Sequence, residues 1–231
     1  MAVYDLEEQE QIAALRSWWK QYGGWAIGIL LVVALGWLGW YGWQSYLKNQ
    51  NAEASRIYLV LQQASAQQDT SRIKLAAGEL VNQYPRSQFA SLGALLAATT
   101  LEAAGDAKSA EAQLNWVADN GKDAVRGIAR LRLAGMQMDD KNFDGALKTV
   151  SDTPPPGFAA RFDAARGDIY VAQGKLSEAR ASYDAALKNL EPATKDVTPN
   201  SEFAGSEPGQ LLRRLLIEKR DALTTAAASG K

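Results

Sequence analysis

The side chains that perform most enzyme chemistry are scarce in this chain. It contains neither histidine nor cysteine, which excludes Ser-His-Asp catalysis, thiolate nucleophiles and zinc sites built from imidazole or thiolate. Carboxylates are adjacent at Glu7 and Glu8 and again at Asp139 and Asp140. Their polar surroundings give no reason for the raised pKa that a general acid needs. Because the glycines match neither a phosphate-binding loop nor a dinucleotide fingerprint, we expect no enzyme activity, no cofactor and no metal.

The balance of charges limits the classes of molecule that the protein can bind. The chain has 25 basic and 26 acidic residues, a formal net charge of −1. A nucleic-acid-binding protein carries a surplus of Lys and Arg that this chain lacks. We therefore expect no nucleic-acid partner. The absence of cysteine suits an oxidising compartment without establishing one.

One stretch predicts a membrane span. No charged residue occurs in 21–47, and at about 1.5 Å per residue its apolar part covers roughly 30 Å, the thickness of a bilayer's hydrocarbon core. Tryptophan and tyrosine cluster at both ends, from Trp18 to Trp25 and from Trp37 to Tyr46, as in the aromatic belts of membrane proteins. We predict a cytoplasmic head at 1–20 and a transmembrane helix at 21–47, embedded in the lipid bilayer.

Two further features of the span bear on its role. Ala52 and Ala54 have the spacing of a signal-peptidase site, but the apolar region is too long for a cleaved signal, so we favour an uncleaved signal anchor. Gly24 and Gly28 form a GxxxG pair, which predicts close contact with a second transmembrane helix. The basic residues flanking the span are balanced, so the positive-inside rule leaves its orientation open.

The rest of the chain predicts helices throughout. It is rich in Ala, Leu, Gln, Glu and Lys, and Gly, Asp, Asn or Pro interrupts it at regular intervals. The fold class is therefore all-α: a single N-terminal transmembrane helix, then a tetratricopeptide-like α-solenoid of about four helical hairpins at 48–193. The predicted helices are 52–66, 71–84, 87–104, 108–119, 125–138, 143–150, 158–173 and 176–190.

The last hairpin shows the repeat pattern best. Small residues at its contact positions let two helices approach closely, aromatic residues fill the space beside them, and a glycine makes the turn. The predicted packing residues are Gly167, Tyr170, Gly174, Ala179, Tyr183 and Ala186.

A stack of such hairpins forms a concave groove that suits a peptide or protein ligand. In the repeat register, the first helix of each hairpin directs one face toward the groove. The predicted groove residues are Leu92, Leu95, Thr99, Leu131, Met138, Ala164, Asp168 and Ala172.

The end of the chain predicts a loop and a cap. Residues 194–210 are rich in Pro, Gly, Ser and Asn, which favours a loop or linker. In 211–231, Leu212, Leu215, Leu216 and Leu223 form one apolar stripe. This pattern predicts a helix that covers the exposed face of the last repeat.

The whole layout resembles the YfgM family, ancillary subunits of the SecYEG translocon. The resemblance rests on the head DLEEQEQIAALRSWWKQYG, which leads into a Gly- and Trp-rich span, and on the stretches RLRLAGMQMDDKNFDGALKTV and RGDIYVAQGKLSEARASYDAAL. It extends from Tyr4 to Leu190. The long Pro- and Ser-rich insert before the last helix departs from the family's shorter tail.

The resemblance implies a topology and partners. The head is then cytoplasmic, the span crosses the bacterial inner membrane, and the repeats lie in the periplasm. The implied partners are the SecYEG translocon, a PpiD-type membrane-anchored chaperone and exported polypeptides, which the protein helps to pass to periplasmic chaperones. The alternative is a membrane-anchored repeat scaffold for outer-membrane or cell-wall assembly.

Overall fold

The computed structural model of the chain describes residues 4–190 and 206–229. Within these ranges the chain is helical with no strand, so the predicted all-α class and the repeat architecture are confirmed. Most of the predicted loop at 194–210, together with 1–3 and 230–231, lies outside the described residues. The helices are α1 (Tyr4–Ala66), α2 (Thr70–Gln83), α3 (Gln88–Ala103), α4 (Ala107–Asn120), α5 (Asp123–Asp139), α6 (Phe143–Thr149), α7 (Ala159–Ala172), α8 (Leu176–Asn189) and α9 (Glu207–Ser229).

The chain divides into two compact units, the first ending at Ala52 and the second beginning at Glu53. The first unit holds the apolar part of α1, which is long and apolar enough to cross a membrane. In its most apolar eighteen-residue window only 6% is buried, whereas a core helix of a soluble protein would be covered. Trp25 is 78% exposed and Leu30 69%. Side chains of this kind need lipid or protein around them.

The second unit is a stack of helical hairpins. The last part of α1 and α2 share the first buried cluster, and the following pairs are α3 with α4, α5 with α6, and α7 with α8. Three buried clusters run through the stack and are rich in alanine. Small side chains let neighbouring helices approach closely, which is why Ala98, Ala110, Ala134 and Ala146 are fully or almost fully buried. Helix α9 packs on α8 and extends the stack.

The turn inside each hairpin has the same backbone. In all four, the residue two positions before the second helix is left-handed, with φ of 55° at Gln68, 82° at Gly105, 59° at Lys141 and 73° at Gly174. In each turn the next backbone N–H donates to a carbonyl five residues earlier, at 2.7 to 3.0 Å. This is the Schellman pattern of helix C-termini. It fixes the angle at which each hairpin folds back.

Side-chain caps complete three of these turns. The residue after the left-handed position is Asp69, Asp106 or Asn142, and each accepts a hydrogen bond at 3.0 to 3.1 Å from the backbone N–H three residues on. Such caps satisfy a donor that a helix N-terminus otherwise leaves unpaired. In the fourth turn Lys175 makes no side-chain cap. In the three capped turns, two consecutive residues thus end the first helix of the hairpin and begin the second.

Helix α9 begins earlier than the sequence indicated. Its first residue is Glu207, although the Pro and Gly that follow suggested a loop up to residue 210. Proline is tolerated in the first turn of a helix, where its missing N–H has no partner to lose. The backbone N–H of Gly209 donates to the Ser206 hydroxyl at 3.3 Å, which caps that turn.

Candidate partner-binding groove

The first helices of successive hairpins lie beside one another in the stack. Helix α5 contacts both α3 and α7, and α9 follows α8 in the place that a further repeat would take. Helices α3, α5, α7 and α9 form one face of the second unit. Helices α4, α6 and α8 complete the hairpins. A ligand lying along this face would contact successive repeats.

A cavity of about 400 Å³ lies on this face between α5, α7 and α9. Aliphatic side chains from all three helices provide most of its lining, and Arg161 and Asp168 are its charged residues. Three of its residues, Leu131, Ala164 and Asp168, are among the predicted groove residues. The lining residues are Leu131, Arg161, Ala164, Ala165, Asp168, Pro208, Leu211, Leu212 and Leu215.

The other predicted groove residues lie apart from this cavity. On α3, Leu92 is 40% exposed and Thr99 is exposed, whereas Leu95 packs against the first buried cluster. Met138 packs against the third cluster. Ala172, at the last position of α7, is exposed.

Two features stabilise the arrangement of helices on this face. The Arg132 guanidinium donates to the Thr99 hydroxyl and so joins α5 to α3. Ala164, which is 9% exposed, belongs to the buried cluster of the last hairpin as well as to the cavity lining. Ala164 therefore lies at the bottom of the cavity, and longer side chains form its accessible walls.

Asp168 is already engaged within the protein. Its Oδ1 accepts hydrogen bonds from the Tyr183 hydroxyl at 2.7 Å and from Lys219 Nζ at 2.6 Å. The Lys219 ammonium also lies 6.0 Å from the centroid of the Tyr183 ring. Burial, reinforced by the bond to Asp168, raises the pKa of Tyr183 well above its usual range. This cluster holds α9 against α7 and α8 and thereby fixes one wall of the cavity.

The predicted packing residues are located in the last hairpin as follows. Gly167 faces the ring of Tyr183 so closely that a Cβ there would lie 2.5 Å from Cδ1. Ala179, Tyr183 and Ala186 are buried, and Tyr170 packs against the same cluster from its edge. Tyr183 thus fills the space inside its own hairpin and also meets Leu216 of α9 in that cluster.

Sequence reasoning missed a buried carboxylate in α7. Asp163 is 5% exposed and pairs with Arg166 one turn later. It also accepts a hydrogen bond of 2.6 Å from the Asn189 amide of α8. Arg166 donates in turn to the Val150 carbonyl at 2.9 Å. The network joins α8 and the end of α6 to α7, and only the i, i+3 spacing of the acid and the base could have indicated part of it.

Sequence reasoning also assigned α9 to capping alone. Its Leu212 and Leu216 do pack on the last hairpin. Leu215, predicted to lie on the same stripe, is instead 45% exposed and lines the cavity beside Leu211, which is 53% exposed. The helix therefore has two apolar faces. The sequence does carry a signal for the second face. Leucines occupy neighbouring positions in α9, so its apolar surface is wider than a single stripe.

In the first unit, Gly24 and Gly28 lie on one side of α1. A Cβ at either position would meet nothing within 4 Å. With Trp25, Ile29, Val32 and Val33 they line an apolar depression in the helix surface. Such a depression suits close approach of another helix, so the predicted helix contact stays a prediction.

Metal-binding geometry is not found in the described ranges. Across 4–190 and 206–229, no three acidic side chains come together in an arrangement that could hold a metal ion. Asp139 and Asp140 are both exposed at the end of α5.

The chain matches known proteins over most of its length. Residues 16–200 match the family described as tetratricopeptide repeat-like domain. Proteins named ancillary SecYEG translocon subunit are similar to it: one from Neisseria gonorrhoeae is 32% identical over 80% of this chain and 90% of its own length. One from Haemophilus influenzae is 32% identical, covering 80% and 91%, and one from Escherichia coli 27%, covering 86% and 93%. No solved structure matches the chain.

Proposed function

We propose that this chain, which belongs to the tetratricopeptide repeat-like family of ancillary SecYEG translocon subunits, is a membrane-anchored adaptor that associates with the translocon. The resemblance to the YfgM family is confirmed. The adaptor role is non-catalytic: the span anchors the repeats at the membrane, and the groove binds segments of other proteins. The translocon appears in the relatives' name, and helical repeats are a fold that many proteins use to bind others.

The observation that supports this proposal most directly is the apolar cavity between α5, α7 and α9. Burying one aliphatic or aromatic side chain there contributes roughly 1.5 to 3 kcal/mol. Association costs at least about 4 kcal/mol in lost freedom of motion. A groove that accepts one or two such side chains therefore binds weakly on its own.

Anchoring compensates for weak binding. Two sites held together by a short tether meet at an effective concentration in the millimolar range. A repeat unit anchored beside a translocation channel can thus engage passing chains that it would not capture from dilute solution. Weak contacts also release their ligand quickly, which suits a protein that passes substrates onward.

We place the protein in the bacterial inner membrane, with the head cytoplasmic and the repeats periplasmic. Its partners in this proposal are SecYEG, a PpiD-type membrane-anchored chaperone and exported polypeptides. The function is to aid the passage of exported proteins from the channel to periplasmic chaperones. The family resemblance supports this assignment, together with the one candidate span that the described residues contain, near the N-terminus.

The tether can be tested by exchanging it. A protein lacking residues 1–48 and exported as a soluble form should no longer co-purify with the translocon. A matched control replaces residues 21–47 with an unrelated transmembrane helix of equal length, which restores the anchor without the native sequence. Unchanged recovery of the soluble form would exclude tethering as the mechanism.

The groove can be tested by crosslinking in membranes. A photoreactive residue at Leu211, a cavity residue that is 53% exposed, should capture exported polypeptides or the chaperone. The same residue at Asn115, exposed on α4, should not. If Leu211 captures instead a component of outer-membrane or cell-wall assembly, the protein is a scaffold of another kind and the hand-over role is wrong.

A further inference from the structure

The first hairpin carries an apolar cleft of its own, which shares no lining residue with the cavity between α5, α7 and α9. The cleft has a volume of about 200 Å³ and lies between α2 and the part of α1 that belongs to the second unit. Leu75 of α2 is 74% exposed, and Val60 of α1 is 47% exposed. Ile57 and Ala76 complete its apolar lining.

The position of this cleft in the stack makes its composition informative. It lies on the first hairpin, where a terminal repeat of a soluble solenoid normally presents a polar outer face. Single exposed leucines are common on proteins, but here apolar side chains from two helices line one concave site. Leu75, which is almost three-quarters exposed in this cleft, contributes little to the stability of the fold.

Two opposite charges flank the cleft. Arg72 and Glu79 belong to its lining and lie seven residues apart on α2, about 10.5 Å along the helix axis. Leu75 and Ala76 lie between them. In the part of the chain that the structure describes, neither charged side chain forms an ion pair or a side-chain hydrogen bond. The nearby Lys74, by contrast, is bound to Asp106 at 3.0 Å.

These charges decide which class of partner fits. An anionic lipid surface attracts clusters of Lys and Arg, whereas this cleft carries one charge of each sign. An amphipathic helix matches it better, because helices present side chains on one face at spacings of three, four and seven residues. Its apolar residues would enter the cleft between the two charges.

We propose that the first hairpin binds an amphipathic helix of a partner protein through this cleft. The partner helix carries an acidic residue opposite Arg72 and a basic residue opposite Glu79, seven positions apart, with apolar residues at the third and fourth positions between them. This is helix-in-groove recognition with charges that set the direction of the bound helix. The interaction uses a different hairpin from the cavity between α5, α7 and α9 and does not depend on what that cavity binds.

Model peptides test this proposal with the full-length protein in nanodiscs of zwitterionic lipid. The probe is a fluorescent, alanine-based helical peptide with Glu, two leucines and Lys at the proposed spacing. Its companion carries Lys at both charged positions. An exposed ion pair contributes up to about 1 kcal/mol, so fluorescence anisotropy should show about fivefold tighter binding of the Glu/Lys peptide. The substitution Arg72→Glu should reverse this preference.

Leucine substitutions locate the binding site. Leu75→Ala removes an exposed side chain, so it should leave the helical circular dichroism unchanged and weaken binding about tenfold. Leu92→Ala, the same change at a 40% exposed leucine on α3, is the control and should have no effect.

Four results would overturn the proposal. The first is unchanged affinity in Leu75→Ala, and the second is a peptide preference that Arg72→Glu does not alter. The third is displacement of the peptide by vesicles of anionic phospholipid, which would make the cleft a lipid-binding surface. Weakening by Leu92→Ala in place of Leu75→Ala would likewise refute it by assigning the peptide to the concave face. None of these results bears on whether Leu211 crosslinks to exported chains.

Discussion

Gly167→Ala should destabilise the last hairpin, and the structure explains why the added methyl group cannot be accommodated. A Cβ at this position would lie 2.5 Å from Cδ1 and 3.0 Å from Cζ of Tyr183. The ring cannot move aside freely, because it is 2% exposed and its hydroxyl is bonded to Asp168 at 2.7 Å. Displacing the ring would also disturb Lys219, which binds the same carboxylate.

The expected magnitude follows from two opposing effects. Forcing an extra methyl group into a packed interior costs typically about 1 to 3 kcal/mol. Alanine is favoured over glycine inside a helix by roughly 0.5 to 1 kcal/mol. The net loss in the free energy of unfolding is therefore about 1 to 2 kcal/mol, which lowers the ratio of folded to unfolded hairpin by about tenfold.

A matched control isolates the steric effect. Gly135 lies inside α5, and a Cβ there would meet nothing within 4 Å. Gly135→Ala should therefore show the helix-propensity gain alone and stabilise the protein by roughly 0.5 to 1 kcal/mol. The two substitutions are chemically identical, so they differ only in surroundings and should have opposite signs.

Hydrogen exchange is the suitable assay, because repeat proteins open locally and a single melting temperature averages over the stack. Amide protection in α7 and α8 should fall in Gly167→Ala while protection in α3 and α4 is retained. Equal or greater protection in α7 of Gly167→Ala would refute the reasoning. It would mean that Tyr183 yields without cost.

Three further changes test other contacts. Lys141→Gly should stabilise by roughly 0.5 to 1 kcal/mol in urea unfolding, because φ is 59° there and glycine adopts this conformation freely; a loss of stability would contradict the turn geometry. Hydrogen bonds from Lys74, then from Ser109, lower the pKa of Asp106. Its contribution is present above the unfolded-state pKa near 3.8 and is lost as pH falls through the lower folded value, so Asp106→Asn should flatten the acid decline of a denaturation curve. Tyr183→Phe should cost about 1 to 2 kcal/mol by thermal unfolding, since it removes a bond to a carboxylate. It should also make the alkaline decline shallower, because a raised pKa gives stability that is present below pH 10 and lost as pH rises through the folded value; an unchanged alkaline decline would exclude the hydroxyl as a contributor.

Local sequence signals sufficed to predict the helices and their pairing. Helix-forming residues alternate with short breaks, and a break such as Gly105 followed by Asp106 encodes both a left-handed turn and a helix cap. The same turn at Gln68 and Lys141 was not predictable from residue type, because neither residue favours the left-handed region. There the packing of the hairpin imposes the conformation against local preference.

The groove was less predictable than the fold. Register assigned Met138 to a ligand-facing position, but its side chain packs against the third buried cluster. Register predicts the direction of a side chain from an ideal repeat, whereas the exposure of that side chain depends on how far neighbouring helices separate. The proline run after α6 leaves that helix only seven residues long, so the third hairpin departs from the ideal repeat.

The cluster around Asp168 links binding at the cavity to the position of α9. Lys219 and the α9 leucines are all on one helix, so a ligand that contacts Leu211 and Leu131 together joins α9 to α5. Suppose that a ligand binds only when α9 is packed on the last hairpin. The ligand then stabilises the packed position of α9 by the same free energy that the packed helix contributes to ligand binding. If the cavity binds a ligand as proposed, Lys219→Ala should therefore lower its affinity there by loosening α9, although Lys219 itself is not among the lining residues.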